Sequence, residues 1–281
     1  MISSSSVTLT PASGTIKCQF SLFPVGAYES VASIGKDDVI YVGDQYQRLL
    51  ALTNNCTLKW SKPYAAEQNP AIDYSSNELR VPTHDQCLLS IDAATGALLW
   101  NVSLKGVPSC VVVDLDGTSY TGDDAGYFYA ISSAGQLLWT KFISVIGSSV
   151  RVDNCPTVGL DGLVYVSSSG YSGQAGGLYA FRKNGTLLWS RPSFGSYSGL
   201  TDARGNLLYM SRSALVLLNS ATGGTLWSYS YSPAYYLRPC ALSPDRWHGL
   251  CAECLHWFIA MEDCWFVPSS GLTRSSWAIC R

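Results

Sequence analysis

Residues 90–100 read SIDAATGALLW, a short apolar run, a polar turn and a second apolar run that ends at Trp100. An apolar run, a turn rich in Gly, Asn, Asp and Ser and a second apolar run together predict a β-hairpin. Related stretches occur along most of the chain: ALTNNCTLKW at 51–60, AISSAGQLLW at 130–139, AFRKNGTLLW at 180–189 and LLNSATGGTLW at 217–227.

The tryptophans that end these hairpins recur at a nearly constant spacing. A period near 40 residues with hairpin content indicates stacked units of β-structure, such as the blades of a β-propeller. We therefore predict an all-β chain of four-stranded antiparallel blades, with five complete blades and an incomplete or irregular C-terminal end. The five residues that mark the period are Trp60, Trp100, Trp139, Trp189 and Trp227.

The composition excludes several classes of protein. Of the 281 residues, 47% are hydrophobic and 14% are charged, so the chain can bury a core and is not globally disordered. Its net charge of -2, without a long basic run, argues against nucleic acid and anionic membranes as partners. No apolar stretch approaches the roughly 18 residues of a transmembrane segment, and residues 1–14 lack the basic region and apolar core of a signal peptide.

The compartment stays open at this point. Asn55, Asn101 and Asn184 begin N-glycosylation sequons, which favour a secreted or extracytoplasmic protein, although two of them fall in turns that asparagine would occupy in any case. Five cysteines are spread singly, without the spacing of a disulfide framework, and are expected to be buried thiols: Cys18, Cys56, Cys87, Cys110 and Cys155.

We predict three segments along the chain: a disordered N-terminal segment at 1–12, the propeller repeats at 13–245 and an irregular tail at 246–281. The repeats open on SGTIKC at 13–18, which aligns with NGTLLW at 184–189, so they begin with the last strand of a unit and Cys18 takes the place of the tryptophan. The tail holds four Trp and four Cys without alternation or turn signals. We interpret it as the product of a change in reading frame or splicing.

Each full unit is expected to contain four short strands. In the clearest unit these are 154–158, 163–167, 177–181 and 186–189. A four-stranded sheet is too small to bury its own faces, so neighbouring sheets must cover them. We therefore predict that the tryptophan of each unit is a structural docking residue, which stacks against the next blade and closes the gap.

Aromatic loops are the strongest candidates for binding. An insertion at 167–177 opens onto the same face as the linkers RPSFGSY at 191–197 and YSYSPAYYLR at 229–238. Because loops carry function more often than strands, we predict a partner-binding face for a protein or peptide. The alternative is that these aromatic residues only cover the ends of the blades. The predicted face consists of Tyr171, Arg191, Phe194, Tyr197, Tyr235, Tyr236 and Arg238.

One stretch of the tail has a spacing that can hold a metal ion. CAECLH at 251–256, together with Cys264, contains a C-x-x-C pair and two further possible zinc ligands. A structural zinc module needs a second well-spaced ligand pair, and the tail has no other sign of a fold. Unpaired thiols are therefore the simpler interpretation, and no metal site is predicted.

No group of residues forms a catalytic constellation. His84 stands beside Asp85, but adjacent residues of a strand or hairpin point to opposite faces, so a solvated turn histidine is the expected role. The acidic residues of other turns are the remaining candidates for binding a cation, but aspartate in a turn is expected to bond its own backbone. These are Asp114, Asp116, Asp123 and Asp124.

The repeated hairpin resembles the tryptophan-docking repeat of the quinoprotein β-propellers, the pyrroloquinoline-quinone-like (PQQ-like) family. The family pattern is approximately A-x-D-x-x-T-G-x-x-x-W, after a strand of the type D-G-x-V-Y-V. Residues 90–100 match it with Ser90 for alanine, and residues 161–166 read DGLVYV. Residues 217–227 keep the threonine, glycine and tryptophan but carry Asn219 for the aspartate. The resemblance covers about residues 13–245.

The resemblance implies one of two classes of function. The quinone-dependent dehydrogenases of this family usually have eight blades, a bound calcium ion, an adjacent pair of cysteines over the quinone and an aspartate base. This chain has no Cys-Cys pair and five visible repeats. The resemblance therefore assigns no residue to PQQ, to calcium or to catalysis.

The family also includes non-enzymatic propellers, such as the lipoprotein scaffold of the bacterial outer-membrane assembly machinery, which use the propeller face and rim to bind proteins. We therefore predict a non-catalytic scaffold that binds a protein or peptide through its aromatic loop face. The alternative is a remnant of a PQQ-dependent dehydrogenase, or a propeller sensor domain of a larger enzyme.

Overall fold

The computed structural model describes residues 5–9, 18–22, 32–44, 47–66, 68–143, 150–170, 176–192, 199–202, 204–210, 214–230, 240–242 and 249–251. These residues form β-strands and turns, with one 3-10 helix at Lys36–Asp38. The chain divides into two compact units, residues 1–156 with 170–172 and residues 157–169 with 173–281.

The first unit contains a hairpin and three four-stranded antiparallel sheets. Strand β1 (Ser5–Leu9) lies within the segment predicted to be disordered and pairs with β2 (Cys18–Leu22). Blade A consists of β3 (Ser33–Ile34), β4 (Ile40–Gly43), β5 (Leu49–Leu52) and β6 (Leu58–Lys62). Blade B consists of β7 (Ala71–Asp73), β8 (Glu78–Thr83), β9 (Cys87–Asp92) and β10 (Leu98–Ser103). Blade C consists of β11 (Pro108–Val113), β12 (Ser119–Asp123), β13 (Tyr127–Ile131) and β14 (Leu137–Phe142), and β15 (Val150–Arg151) follows it.

The second unit contains two four-stranded antiparallel sheets and a short hairpin. Blade D consists of β16 (Thr157–Val158), β17 (Leu163–Ser167), β19 (Gly177–Arg182) and β20 (Leu187–Pro192), with the short strand β18 (Ser169–Gly170) after β17 in the chain. Blade E consists of β21 (Gly199–Thr201), β22 (Leu207–Met210), β23 (Ala214–Leu218) and β24 (Thr225–Ser230). Strands β25 (Cys240–Leu242) and β26 (Gly249–Cys251) pair with each other.

These five sheets confirm the predicted four-stranded antiparallel blades. The predicted strand at 163–167 coincides with β17. The outer strand of blade D is longer than expected, because β20 continues past Trp189 to Pro192 and pairs with the whole of β19. The tryptophan is therefore in the middle of the outer strand and not at its end.

One turn geometry recurs before every outer strand. The residue four positions before the tryptophan has a positive φ in all five blades, and the register between the third and fourth strands then shifts by a β-bulge. Glycine adopts such a φ without steric cost and fills four of these positions. The bulge twists the outer edge and disfavours pairing with another strand. The five residues are Cys56, Gly96, Gly135, Gly185 and Gly223.

The hydrophobic core lies between neighbouring blades of the same unit. The second and third strands of each blade are almost entirely buried, as in β5, where every residue of Leu49–Leu52 is buried. One cluster joins Tyr41 and Ala51 of blade A to Leu79 and Ile91 of blade B. Similar clusters join blade B to blade C and blade D to blade E. This arrangement supplies the cover that a four-stranded sheet needs on both faces.

The prediction of buried thiols is wrong for four of the cysteines. Cys18 forms a disulfide with Cys56, and Cys110 forms one with Cys155. The partners are 38 and 45 residues apart, which is about one repeat. Each pair therefore appears in the sequence as isolated cysteines and meets only when successive repeats pack. Cys87 is a free cysteine and is half-buried.

Candidate protein-binding face

The hairpins between the second and third strands lie beside the linkers that join the blades. In the first unit we call this surface the hairpin–linker face and define it by residues 47–48, 63–66, 84–86, 104–107 and 123–126. Between blades A and B, the Ala65 N–H donates to the Gln47 carbonyl at 2.7 Å. The Ala65 carbonyl in turn accepts from the His84 N–H at 3.0 Å. One linker residue thus joins two successive hairpins.

The linker between blades B and C is held in the same way. The Leu104 N–H donates to the Gln86 carbonyl at 2.8 Å, and the Asp124 N–H donates to the Val107 carbonyl at 3.1 Å. The Val107 N–H also donates to the Asp124 carboxylate at 2.8 Å. Because backbone bonds connect each hairpin to the next, the hairpin–linker face of this unit is a continuous and ordered surface rather than a set of independent loops.

A buried carboxylate supports the hairpin of blade C from below. Asp123 accepts hydrogen bonds from the Tyr127 N–H at 2.7 Å and from the Tyr129 hydroxyl at 2.6 Å. The Tyr129 hydroxyl also accepts from the Lys105 N–H at 3.1 Å, which connects the hairpin to the preceding linker. Burial, and then the bond to Asp123, raise the pKa of Tyr129 well above its usual value. This tyrosine therefore stays a neutral donor at physiological pH.

The structure describes one of the seven residues of the face predicted from sequence. Arg191 follows Trp189 on the outer strand of blade D, and its guanidinium donates to the Gly223 carbonyl at 3.0 Å and to the Thr225 hydroxyl at 2.8 Å in blade E. Its contacts thus join two blades. The other six residues lie outside the described part of the chain, so the predicted face stays a prediction: Tyr171, Phe194, Tyr197, Tyr235, Tyr236 and Arg238.

The tryptophans Trp60, Trp100 and Trp189 make the same contact with the next blade. The indole N–H of Trp60 donates to the Ala93 carbonyl at 3.2 Å, that of Trp100 to Ser133 at 2.9 Å and that of Trp189 to Ser220 at 2.6 Å. In each case the positive-φ glycine of that turn faces the indole so closely that an added Cβ would lie 2.7–2.9 Å from a ring atom. Trp139 contacts Tyr120 and Phe128 of its own blade, and Trp227 pairs with Leu217 in blade E.

We propose that the five indoles, as docking residues of their blades, supply much of the stability between blades.

The Cys18–Cys56 disulfide occupies the position of such a contact. In the repeat alignment Cys18 stands where the other units have tryptophan, and Cys56 stands where the next turn has glycine. The Cys18 sulfur lies 3.5 Å from the Asn54 carbonyl oxygen, which corresponds to the carbonyls that accept from the indoles. Phe20, on the same strand, packs against Val42 and Leu50 of blade A. The disulfide thus replaces an indole contact between the N-terminal hairpin and blade A.

Replacing Cys18 and Cys56 together with serine is expected to loosen the N-terminal hairpin by about 2–4 kcal/mol, because a covalent link across 38 residues is lost. The measurement is hydrogen exchange at Cys18–Leu22, combined with denaturant unfolding. A second variant, Cys18→Trp with Cys56→Gly, rebuilds the contact that the other blades use and should restore protection in the presence of reductant. Equal exchange in the wild type and in the serine variant would show that the disulfide does not stabilise the N-terminal hairpin.

A buried charged network, which was not predicted from the sequence, joins blades B and C. Arg80, which is fully buried, donates through Nε to the Ser119 hydroxyl at 3.1 Å. Its Nη1 donates to Glu78 and to the Ser90 hydroxyl at 2.6 Å each. Its Nη2 lies 3.4 Å from Asp73 Oδ2, and its guanidinium stacks over Trp100 at 4.9 Å from the ring centroid.

The repeat alignment holds a signal for this network. Residues 76–81 occupy the place of the DGLVYV strand, so Arg80 stands where Tyr41, Tyr120 and Tyr165 stand in other blades. Those tyrosines pair across the sheet with alanines, whereas Arg80 pairs with Ser90. An arginine at a position that is otherwise an aromatic core residue indicates a buried ion pair, since a lone buried charge is prohibitively costly.

Hydrogen bonds determine the charge state of Asp73 in this network. Its burial acts to raise the pKa, but the bonds that its carboxylate accepts from Ser75 and Ser76 outweigh burial and lower the pKa below its usual value. Asp73 is therefore ionised at physiological pH and can neutralise Arg80. The network therefore connects the two blades, and its arginine is not accessible to solvent.

The candidates for catalysis or metal binding within the described residues lie in turns. His84 is exposed, and its backbone N–H is the group bonded to Ala65. Asp114 and Asp116 accept hydrogen bonds from the backbone of their own turn. Within the described ranges there is no group of three or more His, Cys, Asp or Glu side chains that could hold a metal ion. The side chains of 251–256 and of Cys264 lie outside the described residues, so the interpretation of the tail is not tested.

The part of the chain that the structure describes has no helix with the length and apolar character needed to cross a bilayer.

Comparison with known proteins gives a consistent result. Residues 4–229 match the family model described as outer membrane protein assembly factor BamB. The chain is 26% identical over 202 residues to outer membrane protein assembly factor BamB of Moranella endobia, and 25% identical over 205 residues to that of Yersinia pestis. Each match covers 68% of this chain and 51% of the relative, so the chain spans about half the length of these curated relatives.

Solved structures confirm the predicted β-propeller fold. BamB from Moraxella catarrhalis superposes with a TM-score of 0.61 at 20% identity, over 82% of this chain and 79% of that one. The quinohemoprotein alcohol dehydrogenase ADHIIG from Pseudomonas putida HK5 superposes with a TM-score of 0.60 at 14% identity, over 81% of this chain and 45% of that one. At these identities the similarity establishes the fold and not the activity.

Proposed function

Because the chain belongs to the family of the outer membrane protein assembly factor BamB, we propose that it is a β-propeller scaffold that binds other proteins through the hairpin–linker face. The observation that carries the proposal is the set of backbone bonds that joins three successive hairpins through their linkers. A surface that is ordered before binding loses less conformational entropy when a partner docks. Loops held on a rigid framework are also where binding residues concentrate in proteins.

The two disulfides support an extracytoplasmic location for this scaffold. Disulfides form and persist in oxidising compartments and are rare where thiols are kept reduced. Cys18–Cys56 connects the N-terminal hairpin to blade A, and Cys110–Cys155 connects the inner strand of blade C to the segment that follows the blade. Both links therefore lie in the first unit, which carries the hairpin–linker face, and they would stabilise it in such a compartment.

Site-specific photocrosslinking in the native host tests the proposal. A photoreactive benzoylphenylalanine is placed at His84 or Asp85, which are exposed on the hairpin–linker face. Matched controls carry it at Ala94 or Ala134, which are exposed in turns between the third and fourth strands. We expect protein adducts of defined mass from the first pair only. Adducts from the control positions alone would show that the partner does not bind at the hairpin–linker face. The absence of a protein adduct at every position would contradict the scaffold function.

Titration of the purified protein with PQQ and calcium, followed by absorbance, is the companion measurement for the enzyme class. The scaffold proposal expects no saturable uptake of the quinone. Saturable, calcium-dependent uptake would overturn the non-catalytic assignment and favour a remnant of a quinoprotein dehydrogenase.

A further inference from the structure

An aromatic pair with a lysine over one of its rings lies at the surface of blade C. The Tyr127 and Phe142 rings lie 4.9 Å apart between centroids, and the Lys105 ammonium lies 4.1 Å from the centroid of Tyr127. Phe142 is 60% exposed, although it ends the outer strand of an ordered sheet. We call Lys105, Tyr127 and Phe142 the anchor patch. Lys105 is part of the hairpin–linker face, and Tyr127 follows the blade C hairpin of that face.

The other blades lack this aromatic pair. Tyr127 and Phe142 face each other in the register where the third strand begins and the fourth strand ends. The same register position holds Leu49 with Lys62, Cys87 with Ser103, Gly177 with Pro192 and Ala214 with Ser230 in the other blades. Four blades thus fold without an aromatic residue at either position. Tyr127 also packs against the cluster between blades B and C, so the exposed Phe142 is the residue that the repeat does not require.

The backbone beneath the patch is held in place. The Tyr127 N–H donates to Asp123, and the Lys105 N–H donates to the Tyr129 hydroxyl that bonds the same carboxylate. The Ile143 N–H, next to Phe142, donates to the Gly126 carbonyl at 2.8 Å. Exposed aromatic side chains on an ordered backbone are typical of residues that dominate binding energy at protein interfaces.

The charges at the patch select the partner. Among the described residues, the Lys105 ammonium forms no ion pair and lies over the face of Tyr127. A carboxylate that reaches Lys105 would gain a charge-assisted bond at the edge of an apolar surface. Asp124, at the hairpin tip, accepts from the Val107 N–H, so its carboxylate already has a backbone partner.

We propose that the anchor patch binds a peptide segment that places an apolar or aromatic side chain on Phe142 and a carboxylate on Lys105. The proposal rests on the scaffold function and specifies the chemistry of its partner. The patch is aromatic in the centre and cationic at one edge, so an acidic, aromatic segment matches both of its parts. A basic segment matches the ring but meets the lysine with a like charge.

Fluorescence anisotropy with labelled synthetic peptides tests the proposal. The probe alternates aspartate and phenylalanine, and two matched peptides replace every aspartate with lysine or every phenylalanine with serine. We expect the acidic, aromatic probe to bind at least tenfold more tightly than either matched peptide. Phe142→Ser should weaken binding about tenfold, and Lys105→Met should weaken it about fivefold and remove its dependence on salt.

Control variants distinguish binding at the anchor patch from nonspecific binding of the peptide. Leu137→Ser removes an exposed apolar residue from the same outer strand, and Lys59→Met removes an exposed lysine of blade A. Both should bind the probe within twofold of the wild type. Equal losses in control and patch variants, or equal binding of the lysine–phenylalanine peptide, would overturn the proposal. Thermal unfolding of each variant establishes that exposed substitutions leave the fold intact.

The photocrosslinks from His84 and Asp85 distinguish this proposal from the scaffold function. If the adducts persist in a Lys105→Met, Phe142→Ser double variant, the scaffold function stands and the anchor patch is wrong. If the adducts are lost in that variant and persist in the two control variants, the patch is part of the partner surface.

Discussion

Replacing Trp100 with alanine is expected to lower the free energy of unfolding by about 3–5 kcal/mol, the usual cost of removing a packed tryptophan. The indole of Trp100 lies between two blades and makes three contacts that alanine cannot. Its ring packs against Gly135, its N–H donates to the Ser133 carbonyl, and its face carries the Arg80 guanidinium. The hydrophobic cluster between blades B and C, which includes Leu88 and Val111, would lose one of its members.

Urea denaturation followed by circular dichroism measures this loss. Trp100→Phe keeps part of the packing but not the hydrogen bond, so its loss should be intermediate. Leu99→Ala is the matched control, because Leu99 is the neighbouring bulge residue and is half-exposed, and it should change stability by less than about 1 kcal/mol. A loss for Trp100→Ala no larger than for Leu99→Ala would remove the proposed role of the indoles.

Arg80→Ala is expected to destabilise the protein by about 3–5 kcal/mol, because it leaves buried acidic and hydroxyl groups without their common donor. Asp73 is buried at the same interface, and the hydroxyls of Ser90 and Ser119 are buried as well. Part of the loss in stability comes from the cation–π interaction between Arg80 and Trp100, which the substitution removes. The measurement is again the free energy of unfolding in urea.

A second variant separates the charge from the volume of Arg80. Arg80→Tyr with Ser90→Ala installs the tyrosine–alanine pair that blades A, C and D have at this position. This variant should recover at least half of the stability that Arg80→Ala loses, because an aromatic ring fills the space and Glu78 can turn towards solvent. Recovery is expected because well-packed neutral residues often replace buried ion pairs without a net loss. A double variant as unstable as Arg80→Ala would mean that the ion pair itself is indispensable.

The pairing of the cysteines shows where sequence reasoning stopped. The alignment placed Cys18 at the tryptophan position, but the partner of a tryptophan is a turn in the next repeat, and that contact was not extended to cysteine. With the Trp60–Gly96 contact in hand, Cys56 is the expected partner, since it holds the position of Gly96. Isolated cysteines in a repeat protein should therefore be aligned by repeat position before they are judged unpaired.

The candidate face illustrates a different difficulty. The sequence predicted a binding face at the aromatic linkers near 191–197 and 229–238, because these loops contain clustered aromatic residues. It did not predict the anchor patch, because Phe142 and Tyr127 lie far apart in the chain and are ordinary strand residues. They become a surface only because the register of blade C places the start of one strand opposite the end of the next.

Local patterns along the chain were sufficient to specify the four-stranded blades, the glycine turns and the period of the repeat, although not the strand Ser5–Leu9 or the full length of the outer strand of blade D. A hairpin is closed by hydrogen bonds between residues a few positions apart, so its signals lie close together in the sequence. Contacts between repeats were decided only in three dimensions. Cys18 and Cys56 are 38 residues apart and Arg80 and Ser119 are 39 apart, and whether such residues meet depends on how one sheet is placed against the next.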